Sequence, residues 1–272
     1  MARVTRTLDT ALGFGVVAGL PADLLTPLAR EVARLGYGAF WINDSGRPDA
    51  DGLAGLAVVA RAAPALVLGV GVLPLDRRTP AEIAAHVRDL RLPLGRLLLG
   101  VGSGGAVRPL GLVRDGVEEL RRLLPEARIV ISALGPRMSR LAGEIADGVL
   151  FNWAVPERLR QVSTLVAEGE HATGRGPIRR WAYVRAAVGD DAEERLAAEA
   201  LRYAGYPAYG RAFEAMGARP EHVGITGEDL AAQLIPYRAA LDGVVVRALP
   251  AGWSLNGAVA IAQAAAPGPG VR

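Results

Sequence analysis

Residues 66–101 read LVLGVGVLPLDRRTPAEIAAHVRDLRLPLGRLLLGV. Leu66 to Leu73 is a short apolar run with no polar alternation, the pattern of a strand covered on both faces. Thr79 and Pro80 then open a helix: threonine caps free amides, and proline suits the first helical position, where an N–H has no partner anyway. The helix is predicted over Pro80–Leu90, and Arg96–Val101 reads as a second strand of the same kind. Successive strand starts at 66 and 96 lie 30 residues apart, the length of one βα unit.

The alternation extends in both directions. Further strands are predicted at Leu12–Val17, Ala39–Asn43, Arg128–Ala133, Val149–Asn152, Trp181–Val188 and Val244–Leu249. Between them run helices. The first is capped by Asp23 and reaches Leu35, where Gly36 ends it; Leu24, Leu28, Val32 and Leu35 share one face. Others are predicted over Asp51–Ala63, Gly111–Leu124, Pro136–Ala146 and Pro156–Glu170, followed by a polar loop from His171 to Pro177. Asp190 caps a helix to Tyr203, two more helical pieces reach about Leu241, and Leu255–Ala265 is the last. Eight apolar strands alternating with helices over about 250 residues fit an α/β fold, a single (β/α)8 TIM barrel occupying residues 1–272 as one domain. Residues 266–272 read as a disordered Pro/Gly tail. The competing layout is a doubly wound open sheet, suggested by Gly13, Gly15 and Gly19 before Asp44. Its spacing departs from G-x-G-x-x-G, and two of the glycines fall inside the strand.

Composition removes whole classes of chemistry. The 272 residues include no cysteine, and the 31 basic residues are all arginine. Thiol nucleophiles, disulfides, Schiff-base lysines and P-loop lysines are therefore excluded. His86, His171 and His222 are the three histidines, and none shows metal-ligand spacing, so no metal site is expected. A chain so poor in nucleophiles and bases, if an enzyme, takes its chemistry from a bound cofactor. The net charge of +3, without a basic run interleaved with aromatics, argues against nucleic acid. The longest uncharged apolar stretch, Ala62–Leu75, is 14 residues, too short for a membrane span. Arg3 and Arg6 before an apolar run imitate a signal peptide, but Asp9 and three glycines interrupt the pattern; the expected location is the cytoplasm.

In a barrel, the C-terminal strand ends carry the active face. Asn43, Asp44 and Ser45 follow the second strand; the plainer reading is a turn or cap. Gly69 and Gly71 lie inside the third strand, where glycine marks close approach of another group or a tight corner. Arg77 and Arg78 follow it, with forks suited to phosphate or carboxylate. Gly102, Ser103, Gly104 and Gly105 follow the fourth strand, a small-residue turn whose amides could wrap an anion. Ala133, Leu134, Gly135, Pro136 and Arg137 follow the fifth. Pro136 opens a helix whose free amides favour a phosphate, and a bound anion would reconcile Arg137 with the helix dipole.

These loops, in this order, resemble the luciferase-like monooxygenase superfamily, especially its deazaflavin (coenzyme F420)-dependent oxidoreductases. The matching segments are LGVGVLPLDRRTPAEIA, RLLLGVGSGG and ISALGPRMSRLAGEIADGVLFNW, with YVRAAVGDD and VVVRALP further on. The resemblance implies a bacterial luciferase-like (β/α)8 barrel with a tricyclic ring across its mouth. It implies a non-proline cis peptide at Gly71–Val72 beneath that ring, and Asn43 beside it. The Gly102–Gly105 loop and the Ala133–Arg137 turn would hold ribityl and phosphate oxygens, with Asp44 near the reactive edge. Many deazaflavin-dependent relatives carry histidine where Ser45 stands, so proton transfer falls to Asp44, Ser45, water or substrate.

The implied activity is hydride transfer between coenzyme F420 and a small organic substrate. The alternatives are an FMN-dependent monooxygenase and a non-catalytic flavin- or deazaflavin-binding protein, the latter suggested by Ser45. Apolar outer-helix positions such as Leu53 and Leu56 would permit a homodimer.

Overall fold

The computed structural model describes residues 11–44 and 50–266. Ser45, the N-terminal arginines and the tail from 267 to 272 lie outside the described residues. Strands β1 (Leu12–Val17), β2 (Ala39–Asn43), β3 (Val67–Pro74), β4 (Leu97–Gly102), β5 (Arg128–Ala133), β6 (Gly148–Asn152) and β7 (Arg179–Ala187) run in parallel order. β9 (Gly243–Ala248) pairs with both β7 and β1, and β6 pairs with β7, so the sheet closes on itself. That closure excludes the open doubly wound sheet. A two-residue strand, β8 (Ile225–Thr226), pairs with the end of β7; it is too short to leave a periodic signal in the sequence.

Each strand points alternate residues to opposite faces. Inside the barrel, Ala39, Trp41, Val67, Leu98, Val130, Leu150, Trp181, Tyr183 and Val245 form a filled core. Outside, neighbours such as Phe40, Leu68, Leu99, Ile131 and Val246 are sealed by the helices. Both faces are dry, which is why the strands read as continuous apolar runs.

The helices are α1 (Ala22–Arg34), α2 (Gly52–Ala62), α3 (Pro80–Asp89), α4 (Pro109–Leu123), α5 (Pro136–Ile145), α6 (Pro156–Ala172), α7 (Ala192–Ala204), α8 (Pro207–Met216), the four-residue α9 (Leu230–Gln233) and α10 (Ile235–Arg238), and α11 (Leu255–Ala264). Thr79 and Glu82 form a complete capping box on α3. Asp51 caps α2 through the amides of Leu53 and Ala54. The other two expected caps are corrected. Asp23 lies in the first turn of α1, where it favours the dipole, and Pro21 is the N-cap. Asp191, not Asp190, is the N-cap of α7, and its side chain makes no capping bond.

Most boundaries move by a residue or two. α4 begins at Pro109, since proline suits the first helical turn, and α6 runs on through His171 to Ala172. α5 and α6 pack backbone to backbone: a Cβ on Gly143 would collide with the Val166 carbonyl, and one on Gly169 with the Arg140 carbonyl. Leu53 and Leu56 are fully buried beneath α2 and present no outer face for a second copy.

Candidate active site

Continuing the inward alternation one step toward the C-terminal ends changes the character of the barrel. Above the apolar layers stand Asn43, Gly71, Gly102, Ser132, Asn152, Arg185 and Arg247, one from the end of each of seven strands. The Gly71–Val72 peptide is cis, at the bond the resemblance implied. Its carbonyl accepts from Asn43 Nδ2 at 2.7 Å and from the Tyr183 hydroxyl at 3.3 Å. Glycine is required here by space: a Cβ would run into Tyr183 Oη and lie 2.7 Å from Leu150 Cδ2. A Cβ on Gly102 would in turn lie 3.0 Å from Val72 Cγ2. Asn43, Gly71, Val72 and Gly102 thus converge on one wall.

The opposite wall carries charge. Arg185 on β7 and Arg247 on β9 are direct register partners. They are 1% and 2% exposed. Arg185 Nη1 donates to Asn152 Oδ1, and its Nε lies 3.4 Å from Glu199 Oε1 on α7. Its guanidinium stacks 4.2 Å from the centre of the Trp153 ring and 5.1 Å from that of Tyr203. Arg247 Nη1 donates to the Ala248 carbonyl. Burial, with Arg185 as a like charge beside it, pulls the Arg247 guanidinium below its ordinary value. Burial pushes the Tyr183 phenol up, and that of Tyr209 up to about 12, so both stay protonated donors.

Asp44 sits at the loop start, directly after β2. Its carboxylate accepts from the Gly52 amide at 2.9 Å and lies 3.6 Å from Arg78 Nη1, with the side chain fully buried. It ties the end of β2 to α2 and to the loop after β3.

The small-residue turns are partly engaged internally. The Gly105 amide donates to Asp76 Oδ2 at 2.8 Å. Gly104 has φ +55°, and a Cβ there would collide with the Asp76 carboxylate. The turn expected to cradle an external anion is thus held by a carboxylate of the chain itself. Ser103 stands beside it, partly exposed. Gly135 caps α5 without a side-chain bond, and Pro136 and Arg137 are exposed at the rim. Ala133 and Leu134 line a different space, a pocket shared with Asn152, Trp153, Arg158, Ala212 and Met216. It has about 10 Å3 of room, roughly one water molecule.

α7 and α8 roof the mouth on the β6–β7–β9 side. Trp153, Leu196, Ala200, Phe213 and Val223 form a separate apolar cluster with Tyr203, Tyr209 and Leu249 around it. Tyr209 Oη accepts from Asn152 Nδ2 at 2.9 Å, pinning α8 to the end of β6. The donor set of the mouth, with Arg185 Nη2, Arg247 Nε and Trp153 Nε1 buried and without an acceptor among the described residues, suits bound groups rich in acceptors, as a deazaflavin together with its substrate would be. The pocket lined by Trp153, Ala212 and Met216 holds about one water molecule, so a larger group there needs the α7–α8 roof displaced.

Reading the sequence for loops missed Tyr183, Arg185, Arg247, Asn152 and Tyr209. The signal was present: an arginine two residues beyond Tyr183, and another two beyond Val245, each toward the C-terminal end of an apolar run. Among the described residues no group of three or more His, Asp or Glu could hold a metal, and no helix is long and apolar enough to cross a membrane.

The sequence pattern of the family described as luciferase-like monooxygenase matches residues 10–127 and 118–250. The 5,10-methylenetetrahydromethanopterin reductase of Methanolobus tindarius is 25% identical over 199 residues, 61% of this chain and 61% of the relative. The phthiodiolone/phenolphthiodiolone dimycocerosates ketoreductase of Mycobacterium sp. (strain JLS) is 29% identical over 228 residues, 66% of this chain and 60% of the relative. The chain spans about three-fifths of the length of these curated relatives. An F420-dependent secondary alcohol dehydrogenase, solved with an F420–acetone adduct, superposes with a TM-score of 0.75 at 16% identity, covering 94% of this chain and 97% of that one.

Proposed function

This chain belongs to the luciferase-like monooxygenase family, and we propose that within it the protein is an oxidoreductase moving a hydride between a bound deazaflavin, coenzyme F420, and a small organic substrate. The observation that carries the reading is the polar layer closing an otherwise apolar barrel: Asn43, Ser132, Asn152, Arg185 and Arg247 meet where the strands end. These side chains can bind and orient, and the chain contains neither cysteine nor lysine to act as a nucleophile. When bound, the deazaflavin supplies the hydride.

The chain's own part is binding, orientation and exclusion of water. Asn43 and Tyr183 fix the Gly71 carbonyl, and with it the wall formed by Val72 against Gly102. Gly71, Val72, Gly102 and Asn43 would line the ring. Ser103, Gly104, Gly105 and the turn Ala133, Leu134, Gly135, Pro136 and Arg137 would meet the ribityl and phosphate arm. At Gly105 the arm would have to share or replace Asp76. Asp44 ties the end of β2 to α2, and proton transfer falls to Asp44, Ser45, the substrate or solvent. The α7–α8 roof excludes water once closed.

The test is titration of the purified chain with F420 and with FMN, followed by absorbance and tryptophan fluorescence. F420 is expected to bind more tightly and, in its oxidised form, to be reduced by a secondary alcohol or, in its reduced form F420H2, to reduce a ketone. Preference for FMN with oxygen consumption would favour the monooxygenase reading. Tight binding without turnover would favour a binding protein, and binding of neither would overturn the proposal.

A further inference from the structure

We propose that Arg185 and Arg247 form an anion-recognition site in the barrel mouth, taking a carboxylate or phosphate group on the substrate. This deepens the oxidoreductase reading and rests on it for the word substrate; the anion site itself does not. Two guanidiniums stand side by side in register, both nearly sealed from solvent. Among the described residues Glu199 is the single carboxylate hydrogen-bonded to either, and it contacts Arg185 through Nε at the long distance of 3.4 Å. Among these residues one of the two buried positive charges has no carboxylate hydrogen-bonded to it. Buried charges in proteins are almost always paired, because desolvation without a partner is costly.

The donors left over point the same way. Arg185 Nη2 and Arg247 Nε, on adjacent strands, are buried and donate to nothing, as is Trp153 Nε1 against the Arg185 guanidinium. Guanidinium forks match the paired oxygens of carboxylate and phosphate, which a neutral ketone or alcohol does not offer. The neighbouring groups on the packed elements, Asn152, Tyr183, Tyr203 and Tyr209, add no further negative charge. The pair lies on the floor of the mouth, in the same layer as the Gly71 carbonyl that Tyr183 holds. That is where the reacting end of a substrate would rest, whereas the free amides of α5 at the rim suit the far end of a cofactor arm. Entry requires the α7–α8 roof to lift, and Gly205 sits at the joint between those helices.

The chemistry is shared by a substrate anion and by the cofactor's own phosphate, so the experiment separates them. The cofactor-free full chain is titrated with inorganic phosphate and with acetate at constant ionic strength, chloride serving as the control. Trp153, stacked on Arg185, reports by fluorescence, with Trp153→Phe identifying its share of the signal. Saturable phosphate or acetate quenching in the parent is expected, weakened about tenfold or more in Arg185→Met and in Arg247→Met. Arg247→Lys, which keeps the charge, should recover part of the loss. The phosphate response should persist with F420 saturating. No saturable response in the parent, or equal affinity in parent and Met variants, would overturn the site. Abolition of the response by F420 would overturn its assignment to the substrate. Should the Met variants fail to fold, the parent titration and Arg247→Lys still decide it. F420 binding is read in the same cuvette, so failure of the anion site and failure of the deazaflavin reading give different results.

Discussion

Replacing Gly71 by alanine tests the wall on which the proposed site is built. The added Cβ would collide with Tyr183 Oη and lie 2.7 Å from Leu150 Cδ2 and 3.0 Å from Tyr183 Cε2. Both neighbours are buried core residues with no open space to retreat into. Overpacking of this kind costs about 1–3 kcal/mol. Pushing the tyrosine aside also sacrifices its hydrogen bond to the Gly71 carbonyl, about 1 kcal/mol, although Asn43 still serves that oxygen. Gly71→Ala should therefore destabilise by about 2–4 kcal/mol. In a Tyr183→Phe background the hydroxyl is gone while Leu150 remains, so the same alanine should cost about 1–2 kcal/mol less. Urea unfolding of the parent, both single variants and the double variant closes the cycle, with unchanged slopes confirming comparable unfolding. The reasoning fails if Gly71→Ala lies within about 0.5 kcal/mol of the parent, the range of ordinary surface changes. It also fails if the two substitutions are additive.

Three further outcomes are expected. Asp44→Ala, which strips the Gly52 amide and Arg78 of a buried acceptor, should cost about 1–3 kcal/mol in urea unfolding, and Asp44→Asn less than about 1 kcal/mol; a neutral Asp44→Ala would show that the carboxylate does not tie the loops. Burial alone would raise the Asp51 carboxyl, but the Ala54 amide and His86 outweigh it and hold it below the ordinary 3.8. A carboxyl lowered on folding lends stability that is present above its unfolded value and lost as pH falls through the folded one. Melting temperature should thus drop more steeply with acidification in the parent than in Asp51→Asn, and parallel curves would contradict the assignment. Gly143→Ala on α5 should destabilise by about 1–3 kcal/mol despite the roughly 1 kcal/mol by which alanine favours a helix, because its Cβ meets the Val166 carbonyl; a rise in melting temperature would refute the close helix contact.

Much of this molecule was legible before any coordinates. Local chemistry is enough to place a strand at Arg96–Val101, one residue from its observed bounds, or a capped helix at Pro80, since apolar runs, capping residues and prolines act over a few neighbours. Counting eight such units, together with the unbroken hydrophobicity of the strands, points to a closed barrel, because only covering both faces makes that composition stable. Asn43 and Gly102 could be named because they stand at strand ends, whereas Gly71 and Val72 were singled out as a pair by the family resemblance. What the linear chain could not disclose was where each side chain is spent. Asp44 stands beside Asn43 in sequence, yet successive residues of a strand face opposite ways, and the carboxylate goes to Gly52 and Arg78. Asp76 is 29 residues from Gly105, and its hold on that amide exists only because β3 and β4 are neighbours. Arg185 and Arg247, 62 residues apart, become a pair through the register of β7 with β9, and their burial depends on a roof supplied by α7 and α8. Periodicity reports which face a residue takes; proximity across strands, and the loss of water that gives two arginines their meaning, are properties of the closed barrel alone.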